Sequence, residues 1–329
     1  MEQASRDAFS PRAKADIFRR LALLEAEWQD LGGFESFVFA HQTRPEILRI
    51  THVSHRSASD IAAELEFLNY LGANSAAVCA PLPLLAESGE QIIEHDGFIC
   101  CLFERAEGKQ ITEADWAPRV LQSWGAAMGR FHRLSRDYQP VGQKRFAWQE
   151  DANLHFRAMI PGEQAQLLAL GDDYLAELEA LSTCSDVYGL IHSDAHAGNF
   201  FLHNGQLKFF DFDDCCYQWY AFDVATILFS AVLQPWMPDG QAEREAIANA
   251  FLPEFLTGYG REFTVSEFLL EQLPLFLKLR EFSLYGVIHS HMDVDHLEDW
   301  YPIKFMQGRR ERMEADLPYF DLDFTHLRG

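Results

Sequence analysis

The apolar positions of the chain change their period about a third of the way along. Over residues 13–29 they recur at helical spacing (Ile17, Leu21, Leu24, Trp28), which predicts an opening helix stopped by Leu31-Gly32-Gly33. Two strand-like runs follow, 34–39 and 47–51, joined by a turn at Arg44-Pro45. Residues 57–71 return to helical spacing. Ser57-Ala58-Ser59-Asp60 supplies capping groups, and Ile61, Leu65, Leu68 and Leu71 form the buried stripe. Residues 81–85 predict an extended segment, and 91–94 with 98–103 a hairpin turning at Asp96-Gly97. From Arg105 onward helical patterns dominate. A β-rich island at 189–212 interrupts them and holds a hairpin turned by Asn204-Gly205. A small β-rich part (1–104) before a larger helical part (105–329) predicts two lobes, with a hinge at 103–108.

Composition narrows the class. With 48% hydrophobic residues in 329, a large core is available and global disorder is excluded. The net charge of −23 disfavours nucleic acid and anionic lipid as partners and favours a small-molecule, cationic or protein partner, besides helping solubility. The six cysteines include two adjacent pairs and no Cys-x-x-Cys, a poor match to a disulfide framework or a structural zinc site. The first seven residues are charged and lack an apolar stretch, and no run reaches about 18 apolar residues. A cytoplasmic protein without a membrane partner is therefore expected.

The chemistry concentrates in His192-Ser193-Asp194-Ala195-His196-Ala197-Gly198-Asn199, followed twelve residues later by Asp211-Phe212-Asp213. These motifs resemble those of the aminoglycoside phosphotransferase and choline kinase-like group of kinase-fold enzymes. Within it they resemble the branch of stress-response kinases, homoserine kinase-like proteins and antibiotic kinases, which often carries His-Gly-Asp-x-His-Pro-Gly-Asn. The match extends over roughly 31–223. The resemblance implies an α+β, bilobal protein-kinase-like fold, ATP and Mg²⁺ as cofactors, and a phosphotransferase with an alcohol group as acceptor. It implies Asp194 as the base and Asn199 and Asp211 as Mg²⁺ ligands; amide and carboxylate oxygens suit a hard cation. By the same resemblance His192 positions the loop and Asp223 braces it through backbone amides. Ser193 replaces the Arg of protein kinases, which implies no activation-loop phosphosite of their type. Asp213 stands where they have Gly. His196 and Asp213 are candidates for a second metal or the acceptor, with an exposed acidic turn as the alternative for Asp213.

In the N-terminal part, residues 32–39 look like the nucleotide-covering hairpin, with Gly33 and Ser36 near phosphate; a simple helix stop is the alternative. Arg49 stands where kinases usually have a phosphate-binding Lys, and Glu64 resembles its helix partner; a surface ion pair is the plainer alternative. Phe103 and Arg105 fall in the segment whose backbone would meet adenine.

Other patterns compete. His289-Ser290-His291-Met292-Asp293-Val294-Asp295-His296 resembles the metal run of metallo-β-lactamase-type hydrolases. Residues 273–288, however, predict a helix rather than a strand feeding a metal loop. His192, Asp194 and His196 could also share a metal, but Asn199 and Asp211 would then have no role. Arg309-Arg310-Glu311-Arg312 is expected to be a solvated helix face. Aromatics at 217–222 and 300–320 are expected mostly in the core. Some could line an acceptor pocket with Asp293, Asp295 or Glu298, favouring a cationic hydroxylated substrate. The expected activity is ATP-dependent transfer to a hydroxyl of a small molecule. The alternatives are a Ser/Thr protein kinase of the stress-response type, a nucleotide-binding pseudokinase supported by Arg49, and a zinc hydrolase.

Overall fold

The computed structural model describes residues 3–33, 35–74, 77–85, 88–238 and 240–322. It divides into two compact units. One comprises Met1–Gly108, Tyr138–Arg145 and Lys208–Asp213; the other comprises Lys109–Asp137, Phe146–Leu207 and Asp214–Gly329.

The first unit contains α1 (Gln3–Ala8), α2 (Pro11–Arg20), β1 (Trp28–Gly32), β2 (Phe37–His41), β3 (Glu46–His52), α3 (Ala58–Ala73), β4 (Pro81–Leu82), β5 (Ile92–His95) and β6 (Phe98–Glu104). The strands form an antiparallel sheet in the order β1-β2-β3-β6-β4, with β5 also paired to β6. Strand alternation sorts β3 into two faces. Leu48 and Ile50 join Ile17 and Phe18 of α2 in one apolar cluster. Arg49 and Thr51 therefore point the other way.

The opening helix is shorter than its apolar period predicts. Ser10 caps α2, Pro11 opens it, and it ends at Arg20. Ala22 then adopts φ 54°, in the left-handed region, and breaks the helical path. Leu24 is 68% exposed, and Trp28 belongs to β1. Ile17, Leu21 and Trp28 still share one cluster, because the reversal at 21–24 returns the chain to the same core from a strand. Of the strand expected at 34–39, Phe34 lies outside the described residues and β2 begins at Phe37. Elsewhere local signals match the structure. Ser57 and Asp60 form a reciprocal capping box on α3. Asp96 and Gly97 (φ 48° and 79°) and Asn204 and Gly205 (51° and 79°) adopt the paired positive φ of tight hairpins.

The second unit contains α4 (Pro118–Asp137), α5 (Phe156–Met159), α6 (Ala165–Glu179), β7 (Tyr188–Ile191), β8 (Phe200–His203), β9 (Gln206–Phe209, whose last two residues belong to the first unit), β10 (Cys216–Trp219), α7 (Tyr220–Val232), α8 (Gln241–Tyr259), α9 (Glu267–His291), α10 (Trp300–Met306) and α11 (Arg309–Glu314). Antiparallel β7 and β10 pair, as do β8 and β9. Every residue of α7 is buried, so its polar side chains need partners. The expected solvated face at 309–312 is corrected at its first residue. Arg309 is only 2% exposed, donates to Glu281 of α9 at 2.7 Å, and stacks on Tyr319 and Phe305. Its planar fork satisfies the one carboxylate that α9 buries there. Among the described residues no helix is long and apolar enough to cross a membrane.

Helices α4 and α8 approach so closely that a side chain does not fit between them. A Cβ on Gly125 would overlap the Phe255 carbonyl oxygen and lie 2.8 Å from Tyr259 N, and one on Gly258 would overlap the Gln122 carbonyl. Gly125→Ala should therefore destabilise the protein by about 2 kcal/mol, despite alanine's higher helix propensity. Urea unfolding measures this; an unchanged or raised midpoint would show that the helices can part without cost.

Candidate active site

The loop 192–199 leaves β7 and enters β8. One face of α7 holds it. Asp223 accepts hydrogen bonds from the backbone N–H groups of His192 (3.0 Å) and Ser193 (2.8 Å). Thr226 Oγ1 donates to the Ser193 carbonyl at 3.3 Å, and Ser230 Oγ accepts from Ala197 N at 2.9 Å. Positions 223, 226 and 230 follow i, i+3, i+7, the repeat of one helix face. Ser193 itself has φ 69°, a strained conformation for a non-glycine residue costing roughly 1 kcal/mol or more. Both of its backbone groups are tied to α7, which maintains that geometry.

A second tier supports Asp223. His132 of α4 places Nε2 3.1 Å from Asp223 Oδ2 and Nδ1 2.7 Å from the Tyr259 hydroxyl of α8. Burial pushes the Tyr259 pKa well up, so the phenol keeps its proton. The Asp223 carboxylate only accepts, so His132 Nε2 is the donor to it. His192 is buried in the same loop.

Asp194 is held on both oxygens. Oδ1 accepts from Arg280 Nη2 of α9 at 2.7 Å. Oδ2 accepts from Asn199 Nδ2 at 3.2 Å and lies 3.3 Å from His196 Nε2. His196 Nδ1 accepts from Gly198 N at 2.9 Å, so the ring proton faces Asp194. Burial pushes the Asp194 pKa up, but His196 and Arg280 outweigh it and hold the carboxyl well below the usual range. It is an ionised carboxylate at neutral pH. Asn199 spends Nδ2 twice, on Oδ2 and on the Asp194 carbonyl at 3.0 Å. Its Oδ1 makes no hydrogen bond among the described residues and suits a hard cation.

In the first unit, Asp211 is exposed with φ 66°, again in the left-handed region. Arg49 and Glu64 make a parallel two-bond pair, 2.9 Å at Nη1 and 2.6 Å at Nη2. Both side chains are buried, which rules out the surface pair considered from the sequence. Burial would lower the Arg49 pKa; Glu64 reverses this and raises it well above the ordinary value. The guanidinium lies 4.9 Å from the Phe103 ring. Asp213 is not an exposed turn either. Its carboxylate is 2.6 Å from His55 Nε2, 3.2 Å from Arg56 Nε and 3.9 Å from Arg49 Nη1. His55 Nε2 also lies 3.3 Å from Glu35. Gly33 has φ 155°, and a Cβ there would overlap the Ser36 carbonyl. The Ser36 hydroxyl is buried against Thr51 Oγ1 at 2.8 Å. The Arg105 amide donates to the Pro45 carbonyl at 2.8 Å.

Among the described residues, Glu35, His55 and Asp213 form the group of three whose ligand atoms lie within 4.8 Å of one another. Burial lowers the His55 pKa, but hydrogen bonds to Asp213 and Glu35 outweigh it and raise it to about 9. A protonated imidazole must release its proton before it can ligate a metal, and with that proton in place the group is an ion-pair hub. The histidine run at 289–296 forms no such group among the described residues. His289 and His291 end α9, and His296 Nδ1 lies 3.0 Å from Asp293. Asp293, Asp295 and Glu298 are exposed.

Four residues were missed in the sequence. His132, Thr226 and Ser230 carry a signal only in retrospect, as polar positions in apolar helices. Arg280 lies 86 residues from Asp194, and its one local sign is the Arg280-Glu281 charge pair within an apolar stretch of α9.

A β-sheet unit with a buried Arg–Glu pair and a helical unit with an anchored Asp-to-Asn loop define a kinase-like phosphotransferase. The chain belongs to the phosphotransferase enzyme family, whose model matches residues 28–264. It is 30% identical over 320 residues to the amicoumacin kinase of Bacillus subtilis (strain 168), covering 95% of this chain and 94% of that one. The structure of amicoumacin kinase hAmiN in complex with AMP-PNP, Ca²⁺ and Ami superposes with a TM-score of 0.90 at 29% identity, over 99% of this chain and 100% of that chain. A microcompartment-associated aminopropanol kinase shares the fold, with a TM-score of 0.65 at 20% identity over 88% and 92% of the two chains. The fold is α+β and kinase-like, and the protein is a kinase with an alcohol group as acceptor. The zinc hydrolase alternative is thereby set aside.

The His55 hub has a pH signature. Its folded pKa lies above the ordinary 6.5, so its contribution to stability is fully present below about pH 6.5 and lost as pH rises through about 9. His55→Gln should lower the urea midpoint clearly at about pH 6 and much less at about pH 10. An equal loss at both values would remove the charge from the account.

Proposed function

We propose that the protein is a cytoplasmic enzyme that transfers the γ-phosphoryl group of ATP to a hydroxyl of a small molecule. Asp194 orients that hydroxyl and receives its proton, and Asn199 and Asp211 hold Mg²⁺. The observation that carries this reading is the anchored, ionised Asp194 beside an Asn199 whose Oδ1 is left open. Asp211 presents an exposed carboxylate two residues beyond the β8–β9 hairpin that Asn199 precedes. Amide and carboxylate oxygens are the donors a hard divalent ion requires. Bound there, the ion would neutralise negative charge on the phosphates. The protein's own share is positioning and electrostatics.

Arg49 would contact phosphate oxygens while Glu64 fixes its plane. The backbone at Gly33 and Ser36 would cover the phosphates, since the Ser36 side chain faces into the sheet. Phe103 and the Arg105 carbonyl belong to the segment offered to adenine. His192 and Asp223 hold the loop, and His196 orients Asp194. In this reading Asp213 acts through the hub rather than as a second ligand.

The likeness to amicoumacin kinases favours a small hydroxylated acceptor and makes amicoumacin the first compound to try. The charge of −23 favours an acceptor with positive charge somewhere on it. Transfer from γ-labelled ATP should be followed for wild type and Asp194→Ala, across amicoumacin, amino alcohols, sugars, aminoglycosides and mixed cell protein. Wild type should label one small-molecule class, and Asp194→Ala should lose about 10²–10⁴ in kcat. Label confined to protein would make this a protein kinase, and ATP binding with no transfer a pseudokinase.

A further inference from the structure

We infer that Arg280 reads an oxygen of the acceptor next to the reacting hydroxyl, so that the preferred acceptor carries a carbonyl or carboxylate adjacent to that hydroxyl. The inference rests on Asp194 being the residue that receives the hydroxyl.

Arg280 comes from α9 and is 9% exposed. It gives only Nη2 to Asp194. Its Nε is buried without a partner, and Nη1 makes no hydrogen bond among the described residues. Nη1 is not among the fully buried unpartnered atoms, so it is the donor an incoming oxygen can reach, and a bond to a charged donor there favours binding. The planar fork suits two oxygens side by side. Here one is Asp194 Oδ1, and the free edge is left for the second. A hydroxyl bonded to Asp194 places its neighbouring carbon substituents at that edge.

Charge points the same way. Arg280 already compensates Asp194, so little attraction remains for an ammonium adjacent to the hydroxyl, and Arg280 repels it. Positive charge elsewhere on the acceptor is compatible with this arrangement.

A matched pair of probes tests the assignment. Lactamide and 1-aminopropan-2-ol share a methyl carbinol and differ in carrying a carbonyl or an aminomethyl group next to it. Binding of each to the full chain with a non-hydrolysable ATP analogue and a divalent ion, and transfer with ATP, should be measured. Wild type should prefer lactamide by at least about tenfold, the gain a hydrogen bond to a charged donor gives, and chiefly through KM. Arg280→Gln should reduce the ratio to near unity. It should also lower kcat for both probes alike, which would be the whole effect if Arg280 only positioned Asp194. Arg280→Lys, which keeps a cation on Asp194 but loses the planar fork, should also narrow the ratio, which provides a reading even if Arg280→Gln does not fold. Equal use of the two probes by wild type, an unchanged ratio in either variant, or no binding of lactamide overturns the assignment. Transfer to both probes without preference would do so while leaving phosphotransfer intact. Preferential binding of lactamide without transfer to either would uphold the acceptor contact and show that so small a probe does not bring its hydroxyl into line.

Discussion

The loop that carries Asp194 depends on the carboxylate of Asp223. It is fully buried, and three donors converge on it: two consecutive loop amides and the imidazole of His132. Burying a carboxylate is costly unless each oxygen is satisfied. Once satisfied it defines where those amides must be. Ser193 can then occupy its left-handed conformation, and Asp194, next in the chain, is aimed away from the helix towards Arg280, Asn199 and His196. The chain of constraint runs from Tyr259 to His132 to Asp223 to Ser193. It originates in α8 and α4, whose glycine contact sets how near His132 and Tyr259 can come.

Charge is handled by the same logic in both units. Each important carboxylate is matched by cations drawn from distant parts of the sequence. Asp194 has Arg280, with the His196 ring as a local donor; Asp213 has His55, Arg56 and Arg49. Arg49 in turn is locked by Glu64 in two parallel bonds. An arginine in this place makes a planar contact where lysine would offer a point charge. The fixed plane, more than the charge itself, is what the departure from the usual kinase lysine changes.

What the sequence revealed divides by range. Hairpin turns and the α3 capping box are written in a few adjacent letters, and they match the structure; the motif residues are equally local in the sequence. The α2–β1 region did not, because Ile17, Leu21, Leu24 and Trp28 fit a helical period although only the first two lie on or beside the helix; the turn at Ala22 leaves no strong local mark. The Arg309 error has the same origin. A charged run reads as solvated until a buried Glu281 from another helix is known. Arg280 and His132 were out of reach for one sequence alone, since nothing near them names their partner.

Arg280 and Glu281 are neighbours on α9, yet they face different obligations. Glu281 is bound to Arg309 in the interior, while Arg280 reaches Asp194. The helix therefore cannot rotate to suit a new ligand without exposing a buried ion pair to an apolar surround. Helix α10 is restricted only on one side: its Phe305 is buried under Arg309, whereas its Trp300 and Ile303 are exposed. Divergence in this lineage should accumulate at the exposed positions of α10, while the 280–281 pair, Phe305 and Arg309 change together or not at all. The geometry thus separates frozen positions from evolvable ones across α9, α10 and α11.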